Sequence, residues 1–440
     1  MDTVARLIGR NFPGSGPELL VGGCPVTEVA ARHGTPLYVY DPAIIDRQLS
    51  RLRHSLPPGF LIYYSVKANP NRALLRHFLS RDCGLEVASG GELAAALGAG
   101  CAADRIFFAG PGKTEDELEE ALVRSVGEIH VESVTEARRI GAIAGRRGIR
   151  ARAALRVNPG AAAQGGAMRM GGKPAPFGVD EERLEETLDL LEGDAAVQLQ
   201  GLHLFTGTQI LDHAVVVDQY RHGLQVARRV AGRLGRPLHT LDFGGGFGIP
   251  YFANETELDV DKLREELRAL FIEVEGDPLF RGTRFVVEPG RYLVGEAGIF
   301  VTRVTDIKVS RGKTFLITDG GMNNHLAASG NLGQVIKRNY PIAIAGRLAA
   351  ARTVTVDVVG PLCTPLDTLA RDVSLPPAEI GDLVVIFQSG AYGLTASPVL
   401  FLGHAVPAEV LATGGRSQVI RPRAPFPAAL PPEREAEAQP

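Results

Sequence analysis

Residues 60–71 read FLIYYSVKANPN, an apolar run that delivers a lysine, Lys67, just before the step Asn69-Pro70. The run predicts a buried strand, because β-branched and aromatic residues favour strands and a proline ends them. Lysine is scarce in this chain, with seven among the 47 Lys and Arg residues. A lysine at the end of such a strand is either a solvated surface charge or part of a reaction site, and the run alone favours the first.

Seven further strand-like runs follow this one at the spacing of βα units. In a single domain, eight such strands predict a closed (β/α)8 barrel, and an open doubly wound sheet is the structural alternative. The eight runs are FLIYYSV (60–66), GLEVA (84–88), RIFFA (105–109), GEIHV (127–131), RAALRVN (152–158), QLQGLHLF (198–205), PLHTLDF (237–243) and TRFVVEP (283–289).

Three of these runs are followed by the S/T-x-x-E pattern that begins helices, which is expected of the loops that lead from strand to helix in a barrel. The pairs are Ser89 with Glu92, Thr114 with Glu117, and Ser133 with Glu136.

The alternation of strand-like and helical patterns ends after Glu288, where strand-like runs follow one another with few helical patterns between them. The sequence therefore predicts a barrel over 41–290 and a mainly β domain over 291–420. Residues 1–40 contain the strand-like PLYVY and fit either domain by pattern; we assign them to the β domain. The tail 421–440 is rich in Pro, Ala and charge and is predicted to be disordered. The β-domain runs are 299–309, 313–319, 352–359 and 382–387.

The composition is that of an ordinary globular protein, with 45% hydrophobic residues and a net charge of −3 over 440 residues. A net charge of this size and sign does not indicate binding to nucleic acid or to an anionic membrane. No apolar run approaches the ~18 residues of a membrane span. We therefore expect a cytoplasmic protein. No CxxC or Cys/His cluster is present, so we expect no structural metal and no disulfide framework. The cysteines are Cys24, Cys83, Cys101 and Cys363.

Polar residues gather at the predicted C-terminal strand ends, where barrels carry their chemistry. Each is unremarkable alone, but together they describe a pyridoxal phosphate (PLP) site. A glycine run after a strand can wrap a phosphate, and Arg291 can add a charged fork. A buried Lys67 can attack the aldehyde, Glu288 can keep the pyridine nitrogen protonated, and His203 can stack on the ring. The glycines are Gly244, Gly245 and Gly246.

These residues resemble the fold-type III PLP-dependent decarboxylases, which include the diaminopimelate, ornithine and biosynthetic arginine enzymes. The resemblance extends from residue 35 to residue 411 and implies an alanine-racemase-like barrel with a C-terminal β domain. The matching stretches include YYSVKANPN, LEVASGGEL, FAGPGKT, HVES, RVNPG, HLFTGTQ, DFGGGFGIPY, EPGRYLVGEAG, GPLCTPLD and SGAYG.

The resemblance implies that Lys67 is the Schiff-base lysine and that His203 stacks on the cofactor as a catalytic residue. It implies that the glycines and Arg291 hold the phosphate and that Glu288 pairs with the pyridinium. Thr208 resembles the family's phosphate-side hydroxyl, in a loop two residues longer than the usual HIGSQ. Glu86 stands where relatives more often have Asp and is given a supporting role.

The stretch GPLCTPLD resembles the family motif C-E-S-G-D, whose cysteine and last acid reach across a homodimer interface into the partner's site. This implies that Cys363 donates a proton to the carbanion and that Asp367 contacts substrate. Tyr392 resembles the tyrosine that approaches the cofactor from the β domain. The resemblance therefore implies a homodimer with shared active sites.

Thr364 departs from the family, because diaminopimelate and ornithine decarboxylases have an acid there that binds the distal ammonium. A buried cation without a partner is costly, so a diamine-like substrate is disfavoured. The segment 320–341 also lacks the RPALYGA-like stretch that holds the far carboxylate of diaminopimelate. The side chains of Thr364, Ala396 and Ser397 are small enough to leave the entrance of the active site open, as a tethered substrate would need.

Two stretches, GPLCTPLDTLARD (360–372) and GDLVVIFQSGAYGLTASPVLFLGH (381–404), resemble a subgroup of these decarboxylases. Members of the subgroup are associated with exosortase gene clusters or act on aminoacyl groups tethered to a carrier protein. The prediction is decarboxylation of an amino acid or an aminoacyl carrier protein, with diaminopimelate decarboxylase as the alternative. Amino-acid racemases of this fold have an arginine at the pyridine nitrogen, so Glu288 at that position disfavours a racemase. The intact Lys67, Glu288 and Cys363 disfavour a silent homologue, and the β domain disfavours a barrel-only PLP carrier protein.

Overall fold

The computed structural model describes residues 3–160, 168–169, 174–205, 207–334 and 336–425. The chain divides into two compact units, which we call the barrel unit and the sheet unit. The barrel unit comprises Asp46–Pro250 and Asn254–Leu293, and the sheet unit comprises Met1–Ile45, Tyr251–Ala253 and Val294–Pro440.

Among the described residues of the barrel unit, eight parallel strands are each hydrogen-bonded to the next. The eighth strand pairs with the first, Val286 opposite Leu61, so the sheet closes. A short ninth strand, Val179–Asp180, pairs parallel with the fifth of them, Ala151–Asn158. The predicted barrel is confirmed, and the open doubly wound sheet is wrong. The strands are β1 (Leu61–Ser65), β2 (Gly84–Val87), β3 (Ile106–Phe108), β4 (Glu128–Val131), β5 (Ala151–Asn158), β6 (Val197–Leu204), β7 (Thr240–Asp242) and β8 (Arg284–Val287).

The helices between these strands begin where the sequence predicts them. Ser89, Thr114 and Ser133 each accept a hydrogen bond from the backbone N–H three residues on. These caps satisfy N–H groups that would otherwise lack a partner at the start of the helix. The helices of this part of the chain are Pro42–Ser55, Arg72–Leu79, Gly90–Ala99, Glu115–Val123, Val134–Arg147, Leu184–Glu192, His213–Leu234 and Val260–Glu275.

The barrel buries an apolar cluster next to polar side chains, since Phe107 pairs in register with Glu128 and Val286 with Asp242. Tyr63, Phe107 and Val286 form a buried hydrophobic cluster, with the Tyr63 and Phe107 rings stacked at 4.0 Å. Glu128 and His130 are two residues apart on β4, and both are fully buried. Because side chains alternate along a strand, these two share one face of β4.

The sheet unit is built around the long strand Gly298–Ser310. The strand Leu37–Tyr40 pairs antiparallel with it and parallel with Ala408–Thr413, which joins the N-terminal segment to this sheet. The four predicted β-domain runs form strands here. Further strands lie outside the predicted runs: Ile342–Ile344, Thr368–Leu375, Ala408–Thr413 and Arg416–Arg421. Of these, Thr368–Leu375 is an edge strand interrupted by charged residues. The remaining strands of the described part of this unit are Leu20–Val21, Cys24–Pro25, Lys313–Thr318, Val354–Val359 and Leu383–Ile386, and the helices include Thr3–Asn11 and Val26–His33.

The tail predicted for 421–440 lies outside the described residues from position 426 onward. Before that point a strand extends to Arg421, and Ala424 forms a bridge with Val406. Among the described residues, no helix is both long enough and apolar enough to cross a membrane.

Candidate active site

Lys67 follows β1 directly, in the short 3-10 helix Val66–Ala68. Its side chain is 47% exposed, and Nζ lies 3.5 Å from Oε2 of Glu86. The expectation of a buried lysine is therefore wrong: the chain leaves β1 in a tight turn, and the amine stays accessible at the barrel's C-terminal end. Glu86, on β2, is buried and accepts a hydrogen bond from the hydroxyl of Ser65, so it is fixed beside the lysine.

The glycine run turns sharply after β7. Gly244 and Gly246 have φ angles of +66° and +96°, which side chains other than glycine rarely adopt. A Cβ on Gly245 would lie 2.4 Å from the backbone oxygen of Glu288. The loop therefore needs glycine both for its conformation and for its close approach to the segment after β8.

The stretch Glu288–Arg291 lies between the glycine loop and the Lys67 strand. The N–H of Glu288 donates to the oxygen of Gly244 at 2.7 Å, and the N–H of Ser65 donates to the oxygen of Pro289 at 3.2 Å. Arg291 begins the short helix Arg291–Val294. These backbone bonds bring the predicted lysine, phosphate and pyridinium groups to neighbouring strand ends.

Thr208 belongs to a short strand, Gly207–Thr208, that pairs with Met168–Arg169. A Cβ on Gly246 would approach the oxygen of Gly207 to 2.8 Å, and the N–H of Ile210 donates to the oxygen of Gly246 at 2.9 Å. The longer loop after His203 is thus held against the glycine run, on the side where the sequence predicts a phosphate.

Glu288 and His203 form a buried pair inside the barrel mouth. Nε2 of His203 lies 3.3 Å from Oε2 of Glu288. Burial lowers the pKa of His203 to about 4, although the negative charge of Glu288 acts to raise it. Burial alone would raise the pKa of Glu288, but His203, His130 and Asp242 lower it by more. At neutral pH the pair is therefore a neutral imidazole beside a carboxylate.

Two residues that the sequence analysis did not assign, His130 and Asp242, complete this cluster. The His130 ring stacks on His203 with centroids 4.4 Å apart, and its Nδ1 lies 3.8 Å from Oε1 of Glu288. His130, His203, Asp242 and Glu288 each bring one ligand atom within 4.8 Å of the others, so a metal ion is an alternative occupant by geometry. The strand alternation of GEIHV is the signal that could have found His130.

A second buried ionic group, also missed from sequence, fixes the ends of β4 and β5. Glu132 accepts from Arg156 at 2.6 Å and from the N–H groups of Gly110 and Gly178 at 2.9 and 2.8 Å. Arg156 also lies over the Phe177 ring, 5.1 Å from its centroid. Lys113 donates to Glu136 at 2.7 Å, and Glu136 accepts from the N–H of Glu132 at 2.7 Å. Charges this deeply buried require such complete pairing.

The remaining predicted residues lie on loops of the sheet unit. Cys363 is exposed, and Thr364 is half-buried. Tyr392 is half-buried and has a φ of +52°, a left-handed conformation, in the loop SGAYG. The barrel residues and these loop residues thus form two groups, one in each unit.

The carboxylate of Asp367 is hydrogen-bonded to backbone groups of its own and a neighbouring loop. Its two carboxylate oxygens accept from the N–H groups of Met322 and Leu362 at 2.6 and 2.8 Å. Ser397 is similarly engaged, accepting from the N–H of Leu326 at 2.9 Å and donating to the oxygen of Gly393 at 2.7 Å. These bonds connect the segment from 320 to the loops that carry Cys363 and Tyr392. The geometry favours a loop-fixing role for Asp367 over the substrate contact predicted from sequence.

The residues of the barrel mouth fit PLP. Oε1 of Glu288 is buried and lacks a hydrogen-bond partner among the described residues, so it can accept from a protonated ring nitrogen. The accessible amine of Lys67 would supply the covalent anchor, and the glycine turn would bind the phosphate. When bound, PLP supplies an electron sink for the carbanion left by loss of CO2.

A barrel with a lysine, a buried carboxylate and a glycine loop at its strand ends is typical of PLP enzymes built on this fold. Residues 43–295 match the family described as the pyridoxal-dependent decarboxylases, over the pyridoxal binding domain. The chain belongs to this family of PLP-dependent decarboxylases.

Individual relatives match nearly end to end. The chain is 39% identical over 399 residues to the L-glutamyl-[BtrI acyl-carrier protein] decarboxylase of Niallia circulans, covering 90% of this chain and 93% of that one. It is 33% identical over 410 residues to the diaminopimelate decarboxylase of Aquifex aeolicus, covering 92% and 93%. The crystal structure of diaminopimelate decarboxylase from M. jannaschii with L-lysine superposes with a TM-score of 0.85 at 25% identity, covering 94% and 95%. The predicted fold, cofactor and reaction class are confirmed.

Proposed function

We propose that this protein decarboxylates an aminoacyl group that carries no distal ammonium, presented on a carrier protein. The observation that carries the proposal is the state of the loop 360–367, whose only carboxylate is Asp367. Both oxygens of Asp367 are engaged by backbone N–H groups, and Thr364 offers only a hydroxyl. The loop therefore has no anion to pair with a buried ammonium.

The barrel residues have separate tasks in this reaction. The Lys67 amine holds the cofactor, the glycine turn and Arg291 bind its phosphate, and Glu288 accepts the hydrogen bond of its ring nitrogen. His203 covers one ring face as a neutral imidazole, which adds no charge to the site. Cys363 is exposed on its loop and supplies the proton that replaces CO2.

The relatives support a tethered substrate. The Niallia circulans enzyme, 39% identical, is named for a glutamyl group on an acyl-carrier protein. A γ-linked glutamyl group has a free α-carboxylate to lose and no distal ammonium, in agreement with Thr364. A carrier arm also needs an open mouth, which small side chains permit.

Diaminopimelate is the second candidate substrate. It is favoured by the 33% identity to the Aquifex aeolicus enzyme and by the TM-score of 0.85 to the M. jannaschii enzyme with L-lysine. It is disfavoured by Thr364, because the family pairs the distal ammonium with an acid at that position.

We further propose that two copies of the chain share their active sites, with Cys363 and Tyr392 of one copy serving the Lys67 site of the other. The exposure of Cys363 supports this, since a proton donor confined to its own unit would have no reason to face outward.

The test is CO2 release from three purified substrates: L-glutamyl carrier protein, free L-glutamate and free diaminopimelate. We expect release from the carrier-bound substrate, at least tenfold faster than from the free amino acids, a preference of about 1.4 kcal/mol or more. Lys67→Ala is the inactive control, and Thr364→Glu should shift the preference towards diaminopimelate. Faster release from diaminopimelate by the wild-type protein would overturn the substrate proposal, and racemisation without CO2 would overturn the reaction.

A further inference from the structure

Charge is unevenly distributed along the barrel unit, and the segment that contains Lys67 is strongly cationic. Residues 46–81 include seven Lys or Arg side chains and one carboxylate, Asp46. The next segment, 82–120, includes two Lys or Arg side chains and nine carboxylates. A concentration of one sign of charge attracts a partner of the opposite sign. The cations of the first segment are Arg47, Arg51, Arg53, Lys67, Arg72, Arg76 and Arg81.

Two of these cations, Arg72 and Arg76, lie on the solvent-facing side of the helix Arg72–Leu79. They are four residues apart, so they are neighbours on one face of the helix, and both are exposed. The opposite face of the same helix is buried, which fixes the arginine face outward. The buried residues are Leu74, Leu75 and Phe78.

Neither guanidinium has a hydrogen bond or an ion pair among the described residues. The one carboxylate of the segment, Asp46, is already paired with Arg81 and His77, each at 2.8 Å. Exposed arginines elsewhere on the barrel unit do have acidic partners at 2.8 Å, so Arg72 and Arg76 differ from them. Examples are Arg124 with Glu120, Arg146 with Glu115 and Arg228 with Asp277.

Local stability does not explain a cation at position 72. Arg72 is the first residue of its helix, directly after the cap Asn71, where the helix dipole disfavours a positive charge. The helices that begin at Gly90, Glu115 and Val134 each have an acid in the first turn instead. An external anion is therefore the better reason for the two arginines.

We propose that Arg72 and Arg76 form a docking surface for the acidic carrier protein that presents the aminoacyl group. The inference rests on the carrier-bound substrate proposed above. An acyl-carrier protein holds its arm through a phosphate diester, so negative charge accompanies the arm, and arginine pairs well with phosphate and carboxylate.

The position of the two arginines along the chain suits this role. Arg72 follows Lys67 by five residues, so their Cα atoms are no more than about 19 Å apart. Arg76 lies about 6 Å farther along the helix. A carrier bound at this surface therefore has its arm beside the strand end that carries Lys67.

The test is the double variant Arg72→Glu/Arg76→Glu with two substrates, L-glutamyl carrier protein and L-glutamyl pantetheine. The second substrate has the arm without its phosphate and without a protein. We expect the ratio of kcat/KM for the carrier substrate to kcat/KM for the pantetheine substrate to fall about tenfold, through a higher KM for the carrier. Salt should raise the wild-type KM for the carrier, and raise it less in the variant.

Arg138→Glu is the matched control, because Arg138 is exposed on the helix Val134–Arg147 and has no ion pair among the described residues. It should leave the ratio at the wild-type value. Gel filtration of each variant reports whether the dimer is intact, and a change of mass in the double variant would assign the two arginines to a contact between copies and overturn the proposal.

The remaining outcomes separate this proposal from the one on which it rests. Wild-type release from the carrier substrate with an unchanged ratio in the double variant would overturn the docking surface alone. An equal loss on both substrates would also overturn it, because the arginines would then support the fold or the site. No release from the carrier substrate by the wild type would overturn both proposals.

Discussion

The imidazole of His203 lies 3.3 Å from the carboxylate of Glu288, with both side chains buried in the barrel mouth. Burial makes the neutral imidazole the stable form, since it lowers the pKa of His203 to about 4. Glu288 is then a carboxylate beside a neutral imidazole, where we propose that it meets the ring nitrogen of the cofactor. This asymmetry suits a decarboxylase, because a carboxylate at the pyridine nitrogen strengthens the electron sink.

Glu288→Gln should lower CO2 release on the order of a hundredfold, as expected when an electrostatic partner of the developing charge is removed. The neutral amide cannot stabilise a protonated ring nitrogen, while Lys67 remains able to hold PLP. The measurement is the single-turnover rate together with the visible absorption of the bound cofactor. An unchanged rate with the cofactor bound would contradict the role of Glu288.

Gly245→Ala should weaken PLP binding, because the new Cβ would lie 2.4 Å from the Glu288 backbone oxygen and force the phosphate loop to move. Gly232→Ala is the matched control, since that position lies in the helix His213–Leu234 with nothing within 4 Å of the added carbon. The control should keep PLP affinity and gain up to about 1 kcal/mol of stability. Both are measured by equilibrium dialysis and thermal unfolding; equal PLP affinity in the two variants would refute the close-approach argument.

Lys67→Ala and Cys363→Ala should each inactivate the homodimer, yet restore activity when mixed. If the sites are shared, each mixed dimer has one intact site, and an equal mixture should recover about a quarter of wild-type activity. The experiment co-refolds or co-expresses the two variants and measures CO2 release. A fully active monomer, or a mixture with no recovery, would show that Cys363 does not serve a partner's site.

Glu132→Ala should destabilise the protein by about 3–5 kcal/mol, because it leaves the buried Arg156 charge without its partner. Glu120→Ala is the control: it removes an exposed ion pair with Arg124 and should change stability by less than about 1 kcal/mol. Urea unfolding of both variants tests the difference. Similar small losses would mean that water or another group satisfies Arg156.

His325 should make the protein less stable as the pH falls below about 6.5. Burial lowers the pKa of His325 to about 3. Between that pH and about 6.5, the imidazole is therefore protonated in the unfolded chain and neutral in the folded chain. Stability is therefore full above the unfolded pKa and falls by about 1.4 kcal/mol per pH unit as acidification continues towards the folded pKa. In the folded state His325 contacts the Ser389 hydroxyl at 2.9 Å as a neutral ring.

The variant His325→Gln keeps a neutral polar side chain and should show a shallower loss of stability between pH 6.5 and pH 5. Unfolding free energies of both proteins across this range give the comparison. Parallel pH profiles would show that His325 does not contribute to acid sensitivity.

Much of the barrel and part of its site could be predicted from sequence. Short apolar runs and capping serines mark strands and helix starts locally, so the eight strands were found without tertiary information. The accessible Lys67 was misjudged, because strand composition does not reveal that the chain turns at Val66. His130 and Asp242 were missed because a polar residue within an apolar strand is ordinary until its neighbours are known.

The order of strands and the polar groups at their C-terminal ends follow from the sequence alone, since parallel strands place those ends at one rim of a barrel. Which of those groups interact, and in which charge state, was decided only by the tertiary structure. Glu128, Asp242 and Glu288 are far apart along the chain, yet the closed barrel removes them from water around one imidazole. Desolvation and charge at a few ångströms then favour a neutral His203 beside an ionised Glu288, and no local pattern encodes that outcome.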